Sequence, residues 1–139
     1  MSEDEVWAFL AASPAHTGKL ATTRADGSPH VAPIWYVVDD RSVVFETGAT
    51  SLKGRNLRRD GRAALCVDDE LPPFAFVILE GVVELSEDLD QLRHWGEVIG
   101  GRYMGQDRAA AYGARNGVPG ELVVRLTPTR ITSAADVAD

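Results

Sequence analysis

At 139 residues, with 45% apolar and 25% charged side chains, the chain is the size of one globular domain (1–139) that can bury its own core. A formal net charge of −7 argues against a nucleic-acid surface, which needs broad positive charge to neutralise phosphates. No apolar run is long enough to span a bilayer, "MSEDEVW" does not resemble a secretory leader, and a single Cys66 excludes an internal disulfide, so a soluble cytoplasmic protein is expected.

Ser2 and Glu5 form an S-x-x-E capping box ahead of Val6, Trp7, Phe9 and Leu10, which predicts a short helix ending near "SPAH". "KLATTR" (19–24) reads as a strand, "ADGS" (25–28) as a turn, and "PHVAPIWYVV" (29–38) as one long apolar strand. "DDR" turns the chain again and "SVVFET" (42–47) returns it, giving a three-stranded meander over 19–47. A helix over roughly 51–59 follows, with Thr50 or Ser51 as its cap. "RAALCVDD" (62–69) is a fourth strand, in which Cys66 reads as a small buried hydrophobe. "ELPP" is a rigid loop, and "FAFVILEGVVEL" (74–85) is a fifth strand in which Gly81 suggests a bulge or bend. A helix over 86–105 opens with Ser86 and acids, and a weaker one covers 106–115. Residues 120–132 close the chain with one or two strands.

About six strands with a mid-strand glycine favour a small closed barrel over an open sheet. Strand 29–38 is apolar on both alternate sets: Val31, Pro33, Trp35 and Val37 on one, Ala32, Ile34, Tyr36 and Val38 on the other. One set can fill the barrel. The other needs a cover, either a helix, a flat aromatic ligand or a second subunit. Pro29 and Pro33 also remove ladder donors, which suits an edge strand or a bulge.

The charge is unevenly placed. Lys53, Arg55, Arg58, Arg59 and Arg62 meet only Asp60 within 50–62, a net of +4 that leaves −11 for the other residues. A positive island on an acidic body suits a small anionic ligand, and a helix N-terminus beside Ser51 and Lys53 makes a plausible cradle for phosphate or carboxylate. The competing reading is a solvated helix face. The histidines and Cys66 show no metal-ligand spacing, and no nucleophile-elbow motif is present.

The ordered set "LATTRADGSPHVAPIW", a strand ending in Thr47, then "SLKGRNLRRD" resembles the pyridoxamine 5'-phosphate oxidase-like superfamily, in its branch that uses coenzyme F420. That cofactor is a deazaflavin with a phosphodiester-linked oligoglutamate tail. The resemblance spans about residues 5–132 and implies a split β-barrel (FMN-binding split barrel) of the mainly-β class, forming a homodimer with cofactor sites at the interface. It implies a phosphate held by Ser51, Lys53 and Asn56, with Leu52 and Arg55 beside them and Glu46 and Thr47 ending the adjacent strand. The deazaflavin ring would lie along Val31, Ala32, Pro33 and Ile34 near Trp35. Pro72, Pro73 and Phe74 would close over it from the other subunit, and Arg55, Arg58 and Arg59 would meet the tail. The implied activity is hydride transfer from the reduced deazaflavin to an electron-poor small molecule such as an enone, quinone or tetrapyrrole. FMN is the alternative cofactor, and a non-catalytic carrier of deazaflavin or another anionic ligand is the alternative role. His30 and Tyr36 are the proton-donor candidates.

Overall fold

The computed structural model describes residues 1–139. The helices are α1 (Glu3–Leu10), α2 (Leu52–Arg59), α3 (Leu89–Met104) and α4 (Ala109–Asn116), with a 3-10 turn over Gln106–Arg108. The strands are β1 (Gly18–Thr23), β2 (Pro29–Ile34), β3 (Val37–Asp39), β4 (Ser42–Gly48), β5 (Arg62–Asp69), β6 (Ala75–Ser86), β7 (Glu121–Leu126) and β8 (Arg130–Ala134). All pair antiparallel in the order β2-β1-β5-β6-β7-β4-β3, and β8 adds to β6.

The strand count exceeds the expected six because two segments break. The run 29–38 is two strands, interrupted at Trp35 and Tyr36, so the simple meander is not what forms. β2 pairs only with β1, while β3 pairs with β4 at the opposite end of the strand order. Two residues of chain link those ends, so the sheet is curled into a barrel open at this seam. Pro33 and Pro29 then lie on an edge strand, as their missing donors require. The 120–132 segment likewise divides into β7 and β8.

Alternation survives the break. Ile34 and Tyr36 point into the main core with Leu20, Phe45, Leu65, Leu79, Leu122 and Val124. Val6, Trp7 and Leu10 of α1 join that core and close one end of it. Val37, Val44 and Val123 face the outside of the barrel and pack with Leu92 and Ile99 of α3, flanked by Trp95 and Tyr103. The capping box forms as expected, with Ser2 Oγ accepting from the Glu5 amide and the Glu5 carboxylate from the Ser2 amide. At α3 the cap is Asp88 rather than Ser86.

Gly81 produces no bulge, because its register with Ala63 is continuous. It sits where β6 changes its second neighbour from β8 to β7, and a Cβ there would meet the Thr127 carbonyl at 2.8 Å. Cys66 is half-buried on the outer face of β5, not in the core. No helix is long and apolar enough to cross a membrane.

Candidate functional site

β4 supplies the centre of the site. Val43, Phe45 and Thr47 turn toward the barrel interior side, so Val44 and Glu46 point outward beneath α3 and α4. Those helices cross closely because each turns glycines toward the other. A Cβ on Gly100 would lie 2.4 Å from that of Tyr112, and one on Gly113 would lie 3.0 Å from the Arg93 carbonyl. This crossing brings Tyr112, Arg115 and Asn116 of α4 to the mouth of β4 and β2.

The result is a cavity of about 450 Å³ lined by Thr17, Pro33, Ile34, Trp35, Glu46, Lys53, Ile99, Tyr112, Arg115 and Asn116. Trp35 forms its flat wall, stacked on Tyr103 at 5.1 Å with rings 5° from parallel, and meeting Tyr112 edge-on at 5.7 Å. Glu46 accepts from Asn116 Nδ2 at 3.1 Å through Oε1. Its other oxygen, Oε2, is buried without a partner. Burial pushes the Glu46 carboxyl up to about 8, with the nearby Glu121 charge adding to the rise and the Asn116 bond opposing it.

α2 forms the cavity's other side. Ser51 is its N-cap: Oγ accepts from the Gly54 amide at 3.1 Å, donates to the Gly48 carbonyl at 2.7 Å and lies 3.1 Å from Thr47 Oγ1. Gly54 is required by a close approach, since a Cβ there would stand 2.1 Å from the Gly48 carbonyl oxygen. Docked this way, the first turn of α2 presents Lys53, which makes no ion pair, to the Glu46 cavity.

The remaining expected residues lie elsewhere. Leu52, Arg55 and Asn56 line a second cavity of about 370 Å³ on the far side of α2, with Arg24, Ala25, Asp26 and Arg59. Asn56 is buried; its Nδ2 donates to Thr22 Oγ1 at 3.1 Å and its Oδ1 accepts from Arg59 at 2.9 Å. Val31 is 66% exposed, and neither it nor Ala32 lines the first cavity. Pro72, Pro73 and Phe74 form the β5–β6 turn and line neither cavity. Arg58 is ion-paired with Glu87, and Arg62 with Asp60.

Neither proton-donor candidate reaches the Glu46 cavity. The Tyr36 hydroxyl is wholly buried and donates to the Leu10 carbonyl at 2.7 Å, and burial raises it to about 12. His30 lies on β2 opposite Thr22, with Nδ1 buried and unpartnered. The sequence reading missed Tyr112, Arg115 and Asn116. The signal for them was the pair of G-x-x-x-G spacings, Gly96–Gly100 and Gly113–Gly117, which marks a close helix crossing.

Residues 2–134 match the family described as Pyridoxamine 5'-phosphate oxidase. The chain belongs to this family. Within the pyridoxamine 5'-phosphate oxidase family it is similar to the F420H(2)-dependent biliverdin reductase of Mycobacterium tuberculosis, 28% identical over 98% of this chain and 90% of that one. A conserved hypothetical protein from Mycobacterium tuberculosis superposes with a TM-score of 0.85 at 32% identity, over 98% of this chain and 86% of that chain. An F420 reductase structure, with a TM-score of 0.67 at 24% identity over 84% of this chain and 89% of that one, shares the fold. The curled antiparallel sheet is thus the split barrel of the family.

Proposed function

We propose that the chain is a reductase that binds coenzyme F420 in the Trp35–Glu46–Lys53 cavity and reduces a small electron-poor acceptor of the enone, quinone or tetrapyrrole type. The observation that carries this reading is the combination in one cavity of a flat aromatic wall, an unpaired cation on a helix's first turn and an orphaned buried carboxyl oxygen. A three-ring heterocycle with hydrogen-bonding edges and an anionic side arm matches all three features. The similarity to an F420H(2)-dependent reductase supports the same cofactor.

When bound, the reduced deazaflavin supplies a hydride; the protein supplies position and charge. Pro33, Ile34 and Trp35 would give the ring an apolar bed. Lys53 and the first α2 amides would hold the phosphate, with the Ser51 hydroxyl and the Thr47 side chain holding that turn in place. Asn56 acts from behind, fixing α2 to β1 through Thr22. Arg55 faces the second cavity, where the carboxylates of the tail would find cations. The α3–α4 pair supplies the cavity's outer wall through Ile99, Tyr112, Arg115 and Asn116.

The same reading includes a homodimer. Val31, Pro33 and Trp35 form an apolar outer strip on an edge strand, which a second copy would cover. Pro72, Pro73 and Phe74 would then reach the neighbouring subunit's cavity. The test is a fluorescence titration of the protein with coenzyme F420 and, in parallel, FMN. Micromolar or tighter deazaflavin binding with weaker FMN binding is expected, followed by acceptor-dependent oxidation of the reduced cofactor. FMN binding in preference would make this a flavin enzyme. Tight deazaflavin binding without turnover would make it a carrier.

A further inference from the structure

The Glu46 cavity holds a charge imbalance of which the cofactor reading uses only Lys53 and the bare Glu46 oxygen, leaving Arg115 unassigned. Its wall carries two cations, Lys53 from α2 and Arg115 from α4, and one carboxyl, Glu46 from β4. Neither cation comes within 4.0 Å of a carboxylate oxygen, so both are without counter-charge. Glu46 sits among them without pairing with either. Its Oε1 takes an amide hydrogen from Asn116, as a carbonyl oxygen would, and its Oε2 has no donor at all. An ionised carboxylate with one buried oxygen left bare is strongly disfavoured, whereas the neutral acid buries no charge and leaves only a hydroxyl unpaired.

The surroundings reinforce this. Gly96 of α3 packs against Oε1, and Glu121 of β7 stands on the same outer face as Glu46. Arg93 and Glu97 of α3 face each other at 3.6 Å, and Arg125 of β7 is taken by Asp39 at 2.9 Å. The Tyr112 ring, edge-on to Trp35, has the guanidinium carbons of Arg108 at 5.6 Å and Arg115 at 5.9 Å from its centre. No neighbouring group therefore supplies Glu46 with a positive partner.

We propose that the cavity is an anion site set by Lys53 and Arg115 together, and that Glu46 is a specificity residue held as the neutral acid so that neither charge is cancelled. The site takes two negative charges, on one phosphate-like group or on two ligands lying side by side. Arg115 becomes a ligand-recognition residue, a role that the cofactor reading does not assign to it. Loss of the Glu46 proton would remove one charge from the site and weaken anion binding.

Sulfate is the probe, because it is a dianion at every pH of interest and needs no assumption about the natural ligand. Protein carrying carboxyl-labelled glutamate is titrated by NMR in sodium sulfate and in sodium chloride of equal ionic strength. The Glu46 signal is assigned by its absence in Glu46→Gln. The expected midpoint in chloride lies well above the usual carboxylate range, and sulfate moves it higher. A rise of about one pH unit corresponds to about a tenfold loss of sulfate affinity on ionisation. Glu46→Gln should bind sulfate independently of pH, and Lys53→Met and Arg115→Met should each abolish the sulfate-dependent shift. An ordinary midpoint, an identical midpoint in the two salts, or an undiminished shift in Arg115→Met would each overturn the proposal. Because deazaflavin plays no part here, failure of the cofactor to bind would sink the function proposed above and leave this result standing. A parallel F420 titration of Arg115→Met locates the second charge: weakened binding places it on the cofactor, and unchanged binding places it on the acceptor.

Discussion

Replacing Glu46 by Gln should stabilise the protein, and by more as the pH rises. The unfolded chain ionises this carboxyl near its ordinary value of 4.5, while the folded chain keeps the proton up to about 8. Between those values folding must hold a proton that the unfolded state has released, so wild-type stability falls with rising pH. Each pH unit is worth about 1.36 kcal/mol, which sets a ceiling of about 5 kcal/mol above the folded value. Glu46 is only half-buried and borders an open cavity, and solvent screening there reduces the expected gap to about 2–3 kcal/mol. Gln keeps the acceptor for Asn116 Nδ2 and puts a neutral donor at the Oε2 position. Urea unfolding followed by tryptophan fluorescence measures the difference directly. The two proteins should match at about pH 4 and diverge steadily to about pH 8.5, with the mutant more stable. Parallel stability curves, or a mutant less stable at alkaline pH, would refute the assignment of Glu46 as a buried neutral acid.

The other predictions concern binding, packing and assembly. Lys53→Ala should cost about 1–3 kcal/mol of coenzyme F420 affinity in a fluorescence titration, with little change in stability because the side chain makes no ion pair. Gly54→Ala should lower stability by about 2–4 kcal/mol in thermal or urea unfolding, because its Cβ would be driven into the backbone of Gly48 rather than a movable side chain. Sedimentation should show the proposed dimer, and Val31→Glu should give a monomer with an unchanged circular dichroism spectrum.

Much of this architecture was legible locally. The Ser2–Glu5 box, the Ser51 cap and the turns at 25–28 and 40–41 each depend on a few neighbouring residues, and each formed. Asp40 and Arg41 both take positive φ in the β3–β4 hairpin, 47° and 58°. The split of 29–38 was hidden, because the apolar alternation passes through Trp35 and Tyr36 without a gap. Only the barrel's closure, a long-range property, decides that β2 parts from the β3–β4 hairpin and pairs with β1 alone across the seam. The site divided along the same line. Pro33, Ile34, Trp35, Glu46 and Lys53 converge on one cavity from strand and helix positions legible in the ordered motifs. Tyr112, Arg115 and Asn116 arrive through a helix crossing set by glycine contacts between segments some fifteen residues apart.

The positive island at 50–62 resolves into parts with different work. Arg62 and Arg58 are spent on Asp60 and Glu87. Arg59 turns inward, donating to the Thr23 carbonyl and to Asn56, and so ties α2 to β1. That leaves Lys53 and Arg55 without carboxylate partners. They are two residues apart on a helix, hence roughly 200° apart around its axis. Lys53 therefore enters the Glu46 cavity and Arg55 the cavity beside Arg24. A single compact anion could not engage both, but an extended one passing over the start of α2 could. If one ligand spans the two cavities, Lys53→Ala and Arg55→Ala should each weaken F420 binding, whereas a ligand confined to the Trp35 side would respond to Lys53→Ala alone. Repeating both titrations with FMN, which has a single phosphate and no tail, should remove the Arg55 effect and keep the Lys53 effect. An Arg55 effect of equal size with FMN would show that the second cavity does not read the tail.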